Sequence, residues 1–345
     1  MRAFFSPREL GHAPARELHN GGWIQHAETP ARAESIVAVL PAVLPAVDHG
    51  LAPLLAVHTA DYLDFLRDAH RLWRDAGRDG DAIPYVWPVV GRRPITLNRI
   101  DALLGRFSFD AATPIAVGTW DAAYWGAQTA LTALDAVLAG DHAFALCRPP
   151  GHHAGADYFG GYCYLNNAAI AARAARAAGR TKVAILDVDY HHGNGTQDIF
   201  WDDASVFYAS LHADPATDYP FYWGHADEIG GVGAEGTTLN LPLPQGTAIG
   251  PYIAALDIAL GALRGFAPDV LIVSFGADTF AADPISGFAL ATADYPTVAA
   301  RIAGVGYPTL IVMEGGYATA ELGANLAAFL SGFKAFSNRM SSSDD

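Results

Sequence analysis

Cysteine is nearly absent from this chain of 345 residues, which holds only Cys147 and Cys163. Two thiols cannot build a disulfide framework, and without further partners they are poor zinc ligands. Positive charge is also scarce: 21 Lys and Arg stand against 36 Asp and Glu, a formal charge of −15. The basic residues are scattered, which argues against a phosphate-binding surface and so against nucleic acid as a partner. Long apolar runs are missing as well. The stretch 253–263 is cut by Asp257 and Gly261, well short of the roughly 20 residues a bilayer span requires, so no membrane segment is expected. Residues 1–10 meet Pro7, Arg8 and Glu9 before an apolar core forms, unlike a secretory signal. A cytoplasmic protein is therefore expected.

What is present points to a large folded core. Apolar residues make up 51% and charged residues 17%, a balance that excludes a disordered chain. From about residue 118, short β-branched or apolar runs alternate with helical patterns, the signature of an α/β fold with a central parallel sheet covered on both faces. The strand candidates are 143–147, 183–186, 206–210, 270–275 and 309–313. Helices are expected over 120–139 and 166–178, stopped by Gly140 and Gly179. Nearer the front, Tyr62, Phe65, Leu66, Ala69, Leu72 and Trp73 follow helical spacing after a possible Thr59 cap and read as core packing. The stretch 77–117 carries Pro84, Pro88, Pro94 and Pro114 without sustained periodicity. It is too long for a passive connection and reads as a lid, binding loop or assembly element. One domain over 1–334 is expected, with a polar tail over 335–345.

In an open α/β sheet, ligands collect beyond the carboxyl ends of the strands. Five such places are rich here: Arg148 to His153, Asp187 to Gly195, Ser210 to His212, Gly276 to Asp278, and Glu314 to Tyr317. A lone aspartate after a strand is commonly a helix cap, and a lone histidine a hydrogen-bonded core residue. Five clusters at one sheet edge are hard to obtain from packing alone. Asp189, His191 and the distant Asp278 suit a three-ligand divalent-metal site with a position left open. In an extended segment Asp189 and His191 project to one side, with Asp187 in phase behind them.

The runs Arg148 to His153 (RPPGHH), Gly160 to Asn167 (GGYCYLNN), Asp187 to Gly195 (DVDYHHGNG), Gly276 to Asp278 (GAD) and Glu314 to Tyr317 (EGGY) resemble the arginase/deacetylase superfamily. Within it they resemble the zinc-dependent histone deacetylase family. Together with the proline-bearing insertion and the short carboxyl end, they are most similar to its bacterial acetylpolyamine amidohydrolase branch. The resemblance implies a single-domain arginase/deacetylase fold and one catalytic zinc held by Asp189, His191 and Asp278, a set that also suits Fe2+ or Co2+. It implies His153 as general base and then acid, His152 as its electrostatic companion, Asp187 bonded to His152, Asn194 facing His153, and Tyr317 as oxyanion donor. Class I relatives carry aspartate where this chain has Asn194, which matches the class II and bacterial pattern. A structural potassium is implied at Asp187, Ser210 and Leu211, with backbone carbonyls of Asp189 and His191.

The same resemblance implies a narrow tunnel whose walls are Phe159 or Tyr158, Gly161, Tyr162, Tyr219 and Ile285. Such an aromatic sleeve suits a linear acylated amine. Ile285 stands where a eukaryotic polyamine-selective relative has a gatekeeping glutamate. In the bacterial branch, cation selectivity comes from acidic residues of the insertion, donated across a homodimer. Asp101 matches one such position, whereas the other reads Ala112, with Asp110 two residues away and Arg106 adding an adverse charge. Small acylated amines such as acetylputrescine or acetylcadaverine are therefore the leading substrate expectation. Neutral or xenobiotic amides of the dimethoate type, or acyl-lysine, are the alternatives. A non-catalytic acyl-ligand sensor is opposed by the intact Tyr317, His152 and His153. A binuclear ureohydrolase is opposed by the missing second aspartate after His191.

Overall fold

Continuous β-branched and apolar runs put a strand inside a sheet covered on both faces, and here they build its centre. The computed structural model describes residues 1–89 and 96–341; Pro94 lies outside them. In chain order the elements are β1 (Arg2–Phe5), β2 (Arg16–His19), β3 (Gly22–Gln25), α1 (Pro30–Val37), β4 (Leu44–Pro45), α2 (Ala52–Leu55), α3 (Ala60–Asp75), α4 (Ile100–Phe107) and α5 (Thr119–Leu138). They continue with β5 (Ala143–Ala145), α6 (Asn167–Ala177), β6 (Val183–Asp187), α7 (Asn194–Phe200), β7 (Val206–Ala213), β8 (Thr238–Leu243), α8 (Ile249–Phe266), β9 (Val270–Phe275), α9 (Tyr295–Ala303), β10 (Thr309–Met313) and α10 (Thr319–Ser341). Eight strands form one sheet in the order β4-β1-β5-β10-β9-β6-β7-β8, every pair parallel. β2 and β3 form a separate antiparallel hairpin.

The period-2 alternation of the strands sorts the core into two layers. Leu271, Val273 and Phe275 of β9 face one side with Leu256, Leu260, Val298, Leu326 and Phe329 of α8, α9 and α10. Val270 and Ile272 face the other with Ala130, Leu134, Ala168 and Ala172 of α5 and α6. α8 is the one described helix long and apolar enough to cross a membrane. It lays Tyr252, Leu256 and Leu260 on the sheet layer, while its Asp257 pairs with Arg301 of α9.

The insertion is not all loop. It contains α4, whose Leu104 and Phe107 join Tyr62, Phe65 and Leu66 of α3 in a third cluster. Tyr85, Trp87 and Val89, in contrast, remain exposed. At the other end α10 continues to Ser341, so the polar tail expected from residue 335 is helical over its first part; residues 342–345 lie outside those described.

Candidate active site

The tandem histidines sit in the loop after β5, and buried polar groups fix that loop. Arg148 donates to the carbonyls of Glu9, His12, Glu28 and Thr29, tying the loop to the amino-terminal segment. Glu314, after β10, accepts from the backbone of Gly151 at 2.7 Å and of His152 at 3.1 Å. Behind the two rings, whose centroids are 4.0 Å apart, the supports differ. Asp187 Oδ2 accepts from His152 Nδ1 at 3.0 Å, and Asn194 Oδ1 accepts from His153 Nδ1 at 2.7 Å. Against the cost of burial, Asp189 and Asp187 push His152 up to about 10. Burial, with His152 and His191 nearby, holds His153 well below the ordinary imidazole range. One ring is thus a cation and its neighbour a neutral base, the separation acid–base chemistry requires.

Asp189 and His191 follow β6 and Asp278 follows β9, two strands paired in register with Asp187 opposite Ser274. The register brings one donor atom from each of the three residues within 4.8 Å of the others. The backbone fixes the carboxylates: Asp189 accepts from His191 and Gly315, Asp278 from Tyr190. At Gly276 an added Cβ would come within 2.0 Å of Asp189 Oδ2, so only glycine lets the strand end pass this close. Burial and the adjacent Asp189 push Asp278 up to about 7. Against the same burial, Asp189 and Asp278 push His191 up to about 10. A buried carboxylate pair that draws a proton onto the imidazole between its members fits a divalent cation by the same potential. A second group, His12, His26 and Glu28, also brings donor atoms within 4.8 Å. There Glu28 Oε1 already holds Arg32 at 2.7 Å and Arg148 at 2.9 Å, two cations that oppose a third.

A pocket of about 120 Å³ opens onto His153, His191 and Tyr317. Its walls include the expected Gly161, Tyr162, Tyr219 and Ile285. Gly161 has φ +56, and a Cβ there would lie 2.2 Å from the His153 ring. Tyr162 is also left-handed, at φ +65, a strain held by its hydroxyl bond to Glu17 at 2.8 Å and by packing against Tyr317. Tyr317 itself is fixed by its backbone N–H on Asp283, and burial pushes its phenol well above the ordinary range, so it keeps its proton. Asp187 and Ser210, two of the residues the resemblance assigns to potassium, are register partners on β6 and β7, with Leu211 buried beside them.

One expected wall residue, and the acidic residue expected to act across a homodimer, stand away from this pocket. Phe159 is fully buried, stacked between Phe65 and Tyr164 in the third core cluster. Its backbone joins the chain at Phe107 and Phe109, which turns the ring away from the pocket. Asp101 does not line the pocket of its own chain. It is buried on α4 and paired with both Arg78 and Arg99, so its charge is compensated inside the fold. Arg106 is likewise occupied, with Asp61.

The pocket carboxylate is Asp110, accompanied by His19 of β2 and Ala112. Asp110 Oδ2 accepts from Gly161 N at 2.7 Å and Tyr219 Oη at 2.8 Å. Burial raises its carboxyl. Its sequence signal was an acidic residue two places from the expected position. His19 gave none, because the hairpin that carries it is short and polar.

Residues 26–333 match the family model described as the histone deacetylase domain. The chain is 46% identical to acetylpolyamine amidohydrolase 1 of Pseudomonas aeruginosa, over 97% of this chain and 99% of that protein. It is 44% identical to the acetylpolyamine amidohydrolase of Mycoplana ramosa, over 96% and 99%. The crystal structure of acetylpolyamine aminohydrolase from Burkholderia pseudomallei superposes with a TM-score of 0.93 at 41% identity, covering 97% of this chain and 99% of that one. With its parallel sheet, paired histidines and Asp-His-Asp donor set, the chain belongs to the histone deacetylase family of metal-dependent amidohydrolases.

Proposed function

We propose that this protein hydrolyses the amide of small acetylated amines of the acetylpolyamine type. The observation that carries the reading is the meeting of His153, Tyr317 and the Asp189, His191 and Asp278 donors at one narrow pocket. Those three residues would hold one zinc ion, which supplies Lewis-acid polarisation of the carbonyl and acidifies a water molecule. His153 Nε2 takes the proton of the attacking water and later delivers it to the departing amine. The protonated Tyr317 donates to the carbonyl oxygen as negative charge builds there. Protonated His152 favours that charge and keeps its neighbour neutral. Potassium at Asp187, Ser210 and Leu211 would brace the loop that carries Asp189 and His191.

Tyr162, Tyr219 and Ile285 give a sleeve for a linear chain, and Asp110 gives it one carboxylate for a distal ammonium. A second reading, hydrolysis of neutral small amides, is favoured by the compensation of Asp101 and by Ala112 where the branch carries an acid. A turnover screen of acetylputrescine, acetylcadaverine, an acetyl-lysine peptide and a neutral N-methyl amide tests both. Preference for the first two supports the leading reading; preference for the neutral amide replaces it.

The insertion is proposed to pair with a second copy of the chain. Tyr85 (66% exposed) and Val89 (66%) stand open on the insertion, and Tyr85 shares a groove with Trp23 of the β2–β3 hairpin, which carries His19 to the pocket. A homodimer built there would roof the pocket, and light scattering that returns a monomer overturns it. A reducing cytoplasm suits Cys147 and Cys163, both buried free thiols.

A further inference from the structure

An asparagine amide has one acceptor end and one donor end, so holding His153 demands that Asn194 face one way. With Oδ1 toward His153 Nδ1 at 2.7 Å, the ring carries its proton on Nδ1 and turns the Nε2 lone pair to the pocket. Turned over, the amide would offer hydrogens to Nδ1 and select the opposite tautomer, which cannot take a proton from the pocket. An aspartate at this position would have no such ambiguity. The orientation therefore needs a cause behind Asn194.

That cause lies on the same helix face. Asn194 and Asp198 are four residues apart on α7, and Tyr158 reaches both. Its hydroxyl lies 2.6 Å from Asp198 Oδ2 and 3.4 Å from Asn194 Nδ2. A carboxylate only accepts, so the single phenol hydrogen goes to Asp198 and leaves the oxygen's lone pairs for the Nδ2 hydrogen. The backbone carbonyl of Asn194, at 3.5 Å from the same hydroxyl, is too far to compete with Asp198 for that hydrogen. Burial and Asp198 push the Tyr158 phenol well above its ordinary range, which keeps the hydrogen in place. The ring is held by an edge contact with Phe109 and a stack on Trp223.

We propose that Tyr158 and Asp198 are positioning residues of this hydrolase: the directed chain from Asp198 through Tyr158 to Asn194 fixes the amide, and the amide fixes the tautomer of His153. The inference rests on the reading of His153 as the base, and neither Tyr158, the alternative expected wall residue, nor Asp198 lines the pocket. Tyr158→Phe keeps the packed ring and removes only the hydroxyl. It should lower kcat about tenfold, with KM unchanged, in the range found when a ligand's outer hydrogen-bond partner is removed. In an Asn194→Asp background either carboxylate oxygen accepts from Nδ1, so adding Tyr158→Phe should change kcat by less than about twofold. An equal loss in both backgrounds would mean that Tyr158 only supports packing, and no loss in the parent would remove it from the mechanism. Imidazole 15N spectra of the metal-loaded enzyme, with His153 assigned by its loss in His153→Ala, supply a readout without substrate. The parent should show Nδ1 protonated and Tyr158→Phe a tautomer mixture; identical spectra would overturn the proposal. If no amide in the screen is turned over, the proposed function fails while these spectra still decide the chain.

Discussion

The Tyr219 hydroxyl donates to Asp110 Oδ2 at 2.8 Å, joining the loop after β7 to the insertion across the pocket. Because Asp110 is the pocket's carboxylate, its removal should discriminate between substrates by charge. In Asp110→Asn, kcat/KM for acetylputrescine should fall about tenfold relative to that for a neutral amide, roughly 1.4 kcal/mol from one partly screened charge. An unchanged ratio would assign the pocket to neutral amides.

Asp189→Ala or Asp278→Ala should lose both turnover and bound metal. Elemental analysis of the parent should return one catalytic divalent ion per chain. Two divalent ions per chain, or retained activity in either variant after chelation, would contradict a mononuclear centre.

Tyr317→Phe should keep the fold, the metal and substrate binding. It should lose about two orders of magnitude in kcat, the effect of deleting one oxyanion donor. An unchanged kcat would leave the carbonyl oxygen without the donor assigned to it.

His58 offers a test of acid lability away from the chemistry. It is fully buried, its Nε2 accepts from Asn166 N at 3.0 Å, and burial lowers it to about 4. The unfolded chain binds the proton at the ordinary imidazole value near 6.5, so below that pH protons favour unfolding until the folded group titrates near 4. The contribution is intact above 6.5 and about 2 kcal/mol of it is lost at pH 5. His58→Gln, which retains an acceptor for Asn166, should show a smaller fall in Tm between pH 7 and pH 5 than the parent. An equal fall would place the acid sensitivity elsewhere.

The centre of the sheet was legible because β6, β9 and β10 are buried on both faces, so their sequences are apolar runs broken only by Asp187, Ser274 and Thr309. β4 has two residues, and β8 contains Pro242 and buries the polar Thr238 and Asn240 rather than its leucines, so neither reads as a core strand. α4 was hidden among prolines. The donors and the tandem histidines were legible because the loops beyond the strand ends concentrate residue types that packing does not need. Which way a loop side chain turns was not legible: Phe159 and Tyr162 stand three apart, yet one packs in the core and the other lines the pocket. The pairing of Asp101 with Arg78 was hidden for a related reason, since only the fold brings that arginine to α4, whereas Arg99 stands two residues away in sequence.

The register of β6 against β9 reaches beyond geometry. Asp189 and Asp278 are brought together by that pairing, so an unfolded chain offers a metal no comparable set of ligands. Occupancy and folding are then one linked equilibrium: at a hundredfold excess of free ion over its dissociation constant, the folded state gains about 2.7 kcal/mol. A lesion anywhere in the β6–β9 pairing should therefore loosen the ion, and a chelator should lower the melting temperature of a chain whose sheet is intact.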